Sequence, residues 1–192
     1  MNSKTIAVTV VFAALAIALN LSPFKVPAPY APFLYYQIWE IPIVIAFLLF
    51  GSRIGIAVSV INTAVLLAVF PGSLPTGPLY NLAAILSMFL GIFIAHRFLG
   101  AHLGKTREAT LPAISTVLGI LFRVGVMTIV NWTFLPIQWP IGFGLPADAV
   151  LAMLPVIGFF NATLTLYTVP AGYFLAKIIS SNIKTVSVDQ RS

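Results

Sequence analysis

The sequence predicts an all-α integral membrane protein, a bundle of six transmembrane helices with both termini cytoplasmic. Three observations predict it. Of its 192 residues 60% are hydrophobic and 7% charged, against about 25% charged in an ordinary soluble domain, and the mean hydropathy is +1.06. The apolar residues gather into six runs, most of them near the ~20 residues that a helix needs to cross a bilayer. The basic residues lie almost entirely in alternate connections between those runs, the asymmetry that orients membrane proteins.

The first run, residues 5–21, carries Ala14 and Ala18 at small-xxx-small spacing, which lets another helix approach closely in lipid. With Lys4 ahead of it and Ala16-Ile17-Ala18 inside it, the run also resembles a secretory signal. Cleavage there leaves five spans and spoils the charge asymmetry, so a retained span is expected. The second run, residues 38–50, is short. It is expected to recruit Leu34-Tyr35-Tyr36-Gln37 or to tilt, and Pro42 falls in its first turn, where a missing N–H does little harm. Residues 54–70, 78–98 and 111–134 read as the third, fourth and fifth spans. The last run, residues 150–179, exceeds one bilayer thickness, so its final turns should emerge into the cytoplasm ahead of a short polar tail, residues 180–192. The chain, residues 1–192, reads as one domain, without linker, low-complexity segment or convincing internal repeat.

Six spans and an inside N-terminus put Lys4, Arg53, Arg97, Lys105, Arg107, Lys177, Lys184 and Arg191 on one side of the membrane. Lys25 alone falls on the other, and Arg123 lies within a span. The net charge of +6 therefore reflects topology in the cell membrane rather than nucleic-acid binding, which requires a basic folded surface. The outer connections are long and rich in proline and aromatics, as in "SPFKVPAPYAPFLYYQIWE" and "LPIQWPIGFGLPAD". They are expected to be stiff without regular hydrogen bonding. Tyr30, Tyr35, Tyr36, Trp39, Trp132 and Trp139 near that surface form either a headgroup-level belt or an aromatic lid over a flat ligand.

Several chemistries lack their residues. There are no cysteines, which removes disulfides, thiolate metal sites and a Cys nucleophile. "LGAHLGKT" ends in Gly104-Lys105-Thr106 but has Leu99 where a phosphate-binding loop needs glycine, and it follows a span; it reads as a cytoplasmic turn. The sequons at Asn20, Asn131 and Asn161 lie in or beside spans, where glycans do not go. His96 and His102 have no acidic partners and read as membrane-surface histidines. No catalytic set and no metal site are expected, so the chain is read as not an enzyme.

What remains is a group of polar side chains at membrane depth. Arg123, Met127 and Asn131 follow one another at i+4 and share one helical stripe; Asn161 and Thr165 repeat the spacing on the last span. Asn62 and Asn81 lie on the third and fourth spans, and Glu40 opens the second as the acidic residue placed to meet Arg123. Such groups serve either as glue between helices or as the wall of a ligand cavity. An unpaired guanidinium costs about 3 kcal/mol at the bilayer centre even on the mildest scale, which favours the cavity.

Together these segments resemble the substrate-binding S-component of an energy-coupling factor (ECF) vitamin transporter, closest to the riboflavin-specific branch. "PFLYYQIWEIPIVIAFLLFG" resembles the family's first outer loop and second span; "GPLYNLAAILSMFLGIFIAHRF", with Asn81, its fourth; "VMTIVNWTFLPI" its fifth; "GFFNATLTLY" the Phe-Asn opening of its sixth. The resemblance implies a binder that captures riboflavin or a related flavin and works with a transmembrane coupling subunit and two cytosolic ATPase subunits. Those partners use the ATP, and the chain itself needs no cofactor. It also implies that the Ala14–Ala18 face docks on the coupling subunit. With the residue reading, it points to Tyr35, Tyr36, Gln37, Glu40, Asn81, Arg123, Met127, Asn131, Trp132, Asn161 and Thr165 as substrate-binding. The departures are Gln37 in place of a frequent aspartate, Ala162 to Thr165 where a lysine is frequent, and Arg123 itself. A different vitamin, or a self-sufficient secondary transporter, is the alternative.

Overall fold

A computed structural model of the chain describes residues 3–69, 74–100 and 107–189. The end of the expected third span at Phe70, His102 and the turn at Gly104-Lys105-Thr106 lie outside them. Helix α1 (Ser3–Leu21) leads into a β-hairpin, β1 (Val26–Ala28) and β2 (Ala31–Tyr36). Then come α2 (Glu40–Phe50), α3 (Ser52–Val69), α4 (Gly77–Ile94) with a π-helical turn at Ala95–Leu99, α5 (Arg107–Phe134) and α6 (Ala147–Asp189). Among the described residues, five helices are long and apolar enough to cross a membrane: Ser3–Leu21, Ser52–Val69, Gly77–Leu99, Glu108–Phe134 and Ala147–Asn182.

The second expected span differs. Helix α2 has 11 residues and rises only about 16 Å, roughly half the ~30 Å hydrocarbon core. It does not recruit residues 34–37, because residues 34–36 already belong to the hairpin, antiparallel, with Val26 opposite Tyr36 and Pro27 opposite Tyr35. This overturns the expectation of an outer loop without regular hydrogen bonding. A two-stranded ribbon consists only of edge strands, where a proline's missing N–H need not face a neighbour. The hairpin is the one departure from an all-α chain among the described residues.

Helix α2 is apolar on every side, and such a helix is buried. Ile43, Val44 and Ala46 are fully enclosed, with Ala13 and Ala16 of α1, Val58 of α3, Ile85, Met88 and Phe89 of α4 and Val169 of α6 around them. Phe47 stacks on Phe89 with ring centroids 4.2 Å apart. Gly51, at φ +92°, turns the chain straight from α2 into α3 in a conformation that L side chains rarely adopt.

Helix α6 has 43 residues, and it remains helical through the segment expected to be a polar tail, to Asp189. His96 is not a free surface histidine either. It lies half-buried in the π-helical turn, with Nε2 hydrogen-bonded to the Tyr173 hydroxyl, which also meets Ser115 Oγ at 2.7 Å. That cluster ties α4, α5 and α6 together at one end of the bundle.

Candidate functional site

At the other end, α2 begins only at Glu40, and the space beyond its N-terminus is closed off by the hairpin and by the ends of the longer helices. The result is a cavity of about 520 Å³, within the range of small-molecule sites. Its wall comes from the last turn of α1, the hairpin, the start of α2, the end of α3, the start of α4, the end of α5 and the start of α6.

Arg123 lies in the depth of this wall, with 2% of its surface exposed. Glu40, also 2% exposed, meets it in a two-pronged ion pair: Nη1 donates to Oε2 at 2.5 Å and Nη2 to Oε1 at 2.8 Å. Nε donates to Asn161 Oδ1 at 2.9 Å, and Nη1 also faces Met88 Sδ at 3.8 Å. The planar fork of a guanidinium matches a carboxylate edge to edge. The pair carries no net charge, and this is how the chain holds an arginine at membrane depth. Glu40 is in the first turn of α2, where the exposed N–H groups of the helix favour an acidic side chain.

The i+4 stripe of α5 meets the cavity along its length, since Arg123, Met127 and Asn131 all line it. Asn131 donates Nδ2 to Met127 O at 2.6 Å, and Asn161 donates Nδ2 to Ile157 O at 2.9 Å. Tyr35, Gln37, Glu40, Asn81 and Asn161 also line the cavity, with Tyr35 and Asn81 exposed at its mouth.

Of the residues read from the sequence as substrate-binding, three do not line it. Trp132, one residue past Asn131, is turned about 100° around the helix and is 57% exposed on the outer face. Thr165 lies one turn deeper than Asn161, fully buried, with its hydroxyl donating back to Asn161 O at 2.9 Å. Tyr36 points at α6: its hydroxyl meets Thr163 Oγ1 at 2.7 Å and also bonds to the Tyr30 hydroxyl. Its ring packs 5.0 Å from that of Phe160. Tyr36 thus fastens the hairpin over the cavity. Partial burial, and the neighbouring Tyr36 hydroxyl, raise the Tyr30 phenol above its ordinary pKa.

The aromatic residues divide between the cavity wall and the outer surface. Trp39, 4% exposed, lines the cavity with Phe33, Tyr35 and Tyr80; Trp132 and Trp139 stand outward, 57% and 66% exposed. The 135–146 connection is tied down as well, by Thr76 Oγ1 donating to Pro140 O and Ile141 O, each at 2.9 Å, and by Tyr80 Oη donating to Ile141 O at 3.1 Å.

Sequence reasoning missed Asn20, Lys25, Tyr80 and Phe160 as wall residues. An amide at the outer end of an apolar helix was the available signal for Asn20; the others depend on how the loops fold back. Ala14 and Ala18 are exposed on the outer face of α1, opposite the core-facing Ala13 and Ala16. Among the described residues no His, Asp and Glu cluster is disposed to hold a metal ion.

No protein-family model matches the chain, and no curated protein matches it. A solved structure does, that of the S component of a bacterial ECF transporter, with a TM-score of 0.75 at 19% identity over 96% of this chain and 99% of that one. The chain has the S-component fold.

Proposed function

We propose that this chain is the substrate-binding S-component of an ECF-type importer, capturing riboflavin or a related flavin outside the cell for ATP-driven uptake. The observation that carries the reading is the cavity of about 520 Å³ roofed by a hairpin, in a fold shared over nearly its full length with an ECF S component. It opens at the end opposite Lys4, Arg53, Arg97 and Lys177, which by the positive-inside rule is the extracytoplasmic end. A flat ring system packs between Trp39, Tyr35 and Phe160, while Asn81, Asn131 and Asn161 meet hydroxyls or ring heteroatoms. Arg123 and Glu40 supply a fixed dipole without net charge. The exposed Ala14–Ala18 face of α1 meets a transmembrane coupling subunit, two cytosolic ATPases supply the energy, and the bundle tilts to release its ligand inward.

Titration of the purified protein with riboflavin, followed by quenching of flavin fluorescence, tests the reading; saturable quenching is expected. The lack of a lysine after Phe160-Asn161 favours a different vitamin as the second reading. A protein that ignores flavins but binds another vitamin supports it and keeps the class. Uptake into vesicles containing this chain alone, driven by an ion gradient, overturns the class in favour of a secondary transporter.

A further inference from the structure

The charges that line the cavity do not balance. Among the described residues they are Lys25, Glu40 and Arg123. Arg123 and Glu40 are spent on each other in the two-pronged pair, each 2% exposed. They offer a ligand no net charge, and an anion that reached for the guanidinium would leave Glu40 buried and unpaired. Lys25 is then the source of a net positive charge in the wall. Asp148, in the first turn of α6 at the same end of the bundle, is exposed and does not line the cavity.

Lys25 sits where the chain bends between α1 and β1. Its N–H donates to the Pro23 carbonyl at 2.8 Å and closes a three-residue turn. On either side of it Phe24 and Val26 are 77% and 63% exposed, whereas Lys25 is half-buried and lines the cavity. This inverts the usual partition, in which a lysine takes the solvent side and its apolar neighbours the protein side. The placement also runs against the bias that keeps basic residues on the cytoplasmic side. In a cleft with apolar walls a single charge acts over several ångströms, because little water screens it. It therefore biases what enters without having to touch every part of it.

We propose that Lys25 makes this cavity selective for solutes that carry an anionic group at the end nearest the mouth, so that among flavins the phosphate ester is favoured over the free alcohol. This rests on the reading of the chain as a flavin-binding subunit. The test is titration of the purified protein with riboflavin and with riboflavin 5′-phosphate, both followed by quenching of flavin fluorescence. It is run in low salt and in about 1 M salt, where the screening length falls to about 3 Å. Wild-type protein is expected to favour the phosphate ester by about tenfold in low salt, the worth of one charge-assisted contact, and to lose most of that preference in the high salt. Lys25→Gln lowers the preference by about tenfold, and Lys25→Arg keeps it. Where Lys25→Gln does not fold, the salt dependence of the wild type carries the test. A preference unchanged in Lys25→Gln or indifferent to salt, or a wild-type protein that binds riboflavin with no preference for its phosphate, overturns the inference and leaves the proposed function standing. A wild-type protein that binds neither flavin removes the flavin reading and this inference with it.

Discussion

Arg123 and Glu40 come from helices far apart in sequence and meet through two parallel hydrogen bonds of 2.5 and 2.8 Å, both side chains almost wholly buried. The pair joins α2, the short central helix, to α5, a long outer one, at the floor of the cavity. It is at once a structural joint and part of the binding wall.

Removing one partner alone should therefore harm the fold. Arg123→Met strands a buried carboxylate and is expected to cost about 3–5 kcal/mol, while the double variant Arg123→Met/Glu40→Leu recovers most of it. Thermal unfolding in detergent, read as a double-mutant cycle, checks this. A single variant as stable as wild type would mean that the two charges do not depend on each other.

The hairpin is closed by Tyr36, whose hydroxyl meets those of Thr163 and Tyr30. Tyr36→Phe keeps the ring on Phe160 and removes the bonds. The expected loss is about 1 kcal/mol of closure, or roughly fivefold faster ligand release. Stopped-flow release of riboflavin measures it, and an unchanged rate would show that the hairpin is not the exit.

Helices α4 and α5 touch backbone to backbone. A Cβ at Gly91 would stand 2.5 Å from the carbonyl carbon and oxygen of Leu118, atoms that cannot rotate away. Gly91→Ala should destabilise by about 3 kcal/mol, the upper end of overpacking costs, seen as a lowered Tm. Wild-type stability in this variant would require the helices to lie further apart.

Outward-facing residues offer the reverse test. Trp132→Ala is expected to leave riboflavin affinity within about twofold, as surface substitutions usually do. Ala14→Trp and Ala18→Trp should bind riboflavin normally and fail to co-purify with a coupling subunit, since their side chains project from the outer face of α1. Lost binding in either alanine variant would connect that face to the cavity instead.

Much of the architecture is legible in local sequence properties. Long apolar runs and the sidedness of basic residues suffice for the long helices and their alternation, because hydropathy and charge act over a single turn or loop. The period of 3.6 residues placed Arg123, Met127 and Asn131 on one face, and all three line the cavity. It equally separates Trp132 from Asn131, a distinction the aromatic content of the segment obscured. The shortness of α2 was legible in its run of residues 38–50; that it stays at half length, and that the proline-bearing segment ahead of it forms a hairpin, were not. Neither follows from propensity; both depend on what α6 offers, in Phe160, Thr163 and Tyr167, to hold the hairpin down.

Membrane residence, helix number to within one, and the need for a partner to Arg123 follow from composition and spacing. Which apolar side chains meet lipid and which meet protein, where the helices part to leave a cavity, and which charges line it were decided by tertiary structure. The reason is physical: lipid tails and protein interior are about equally apolar, so hydropathy cannot tell one from the other, and only the packing of one helix on the next does.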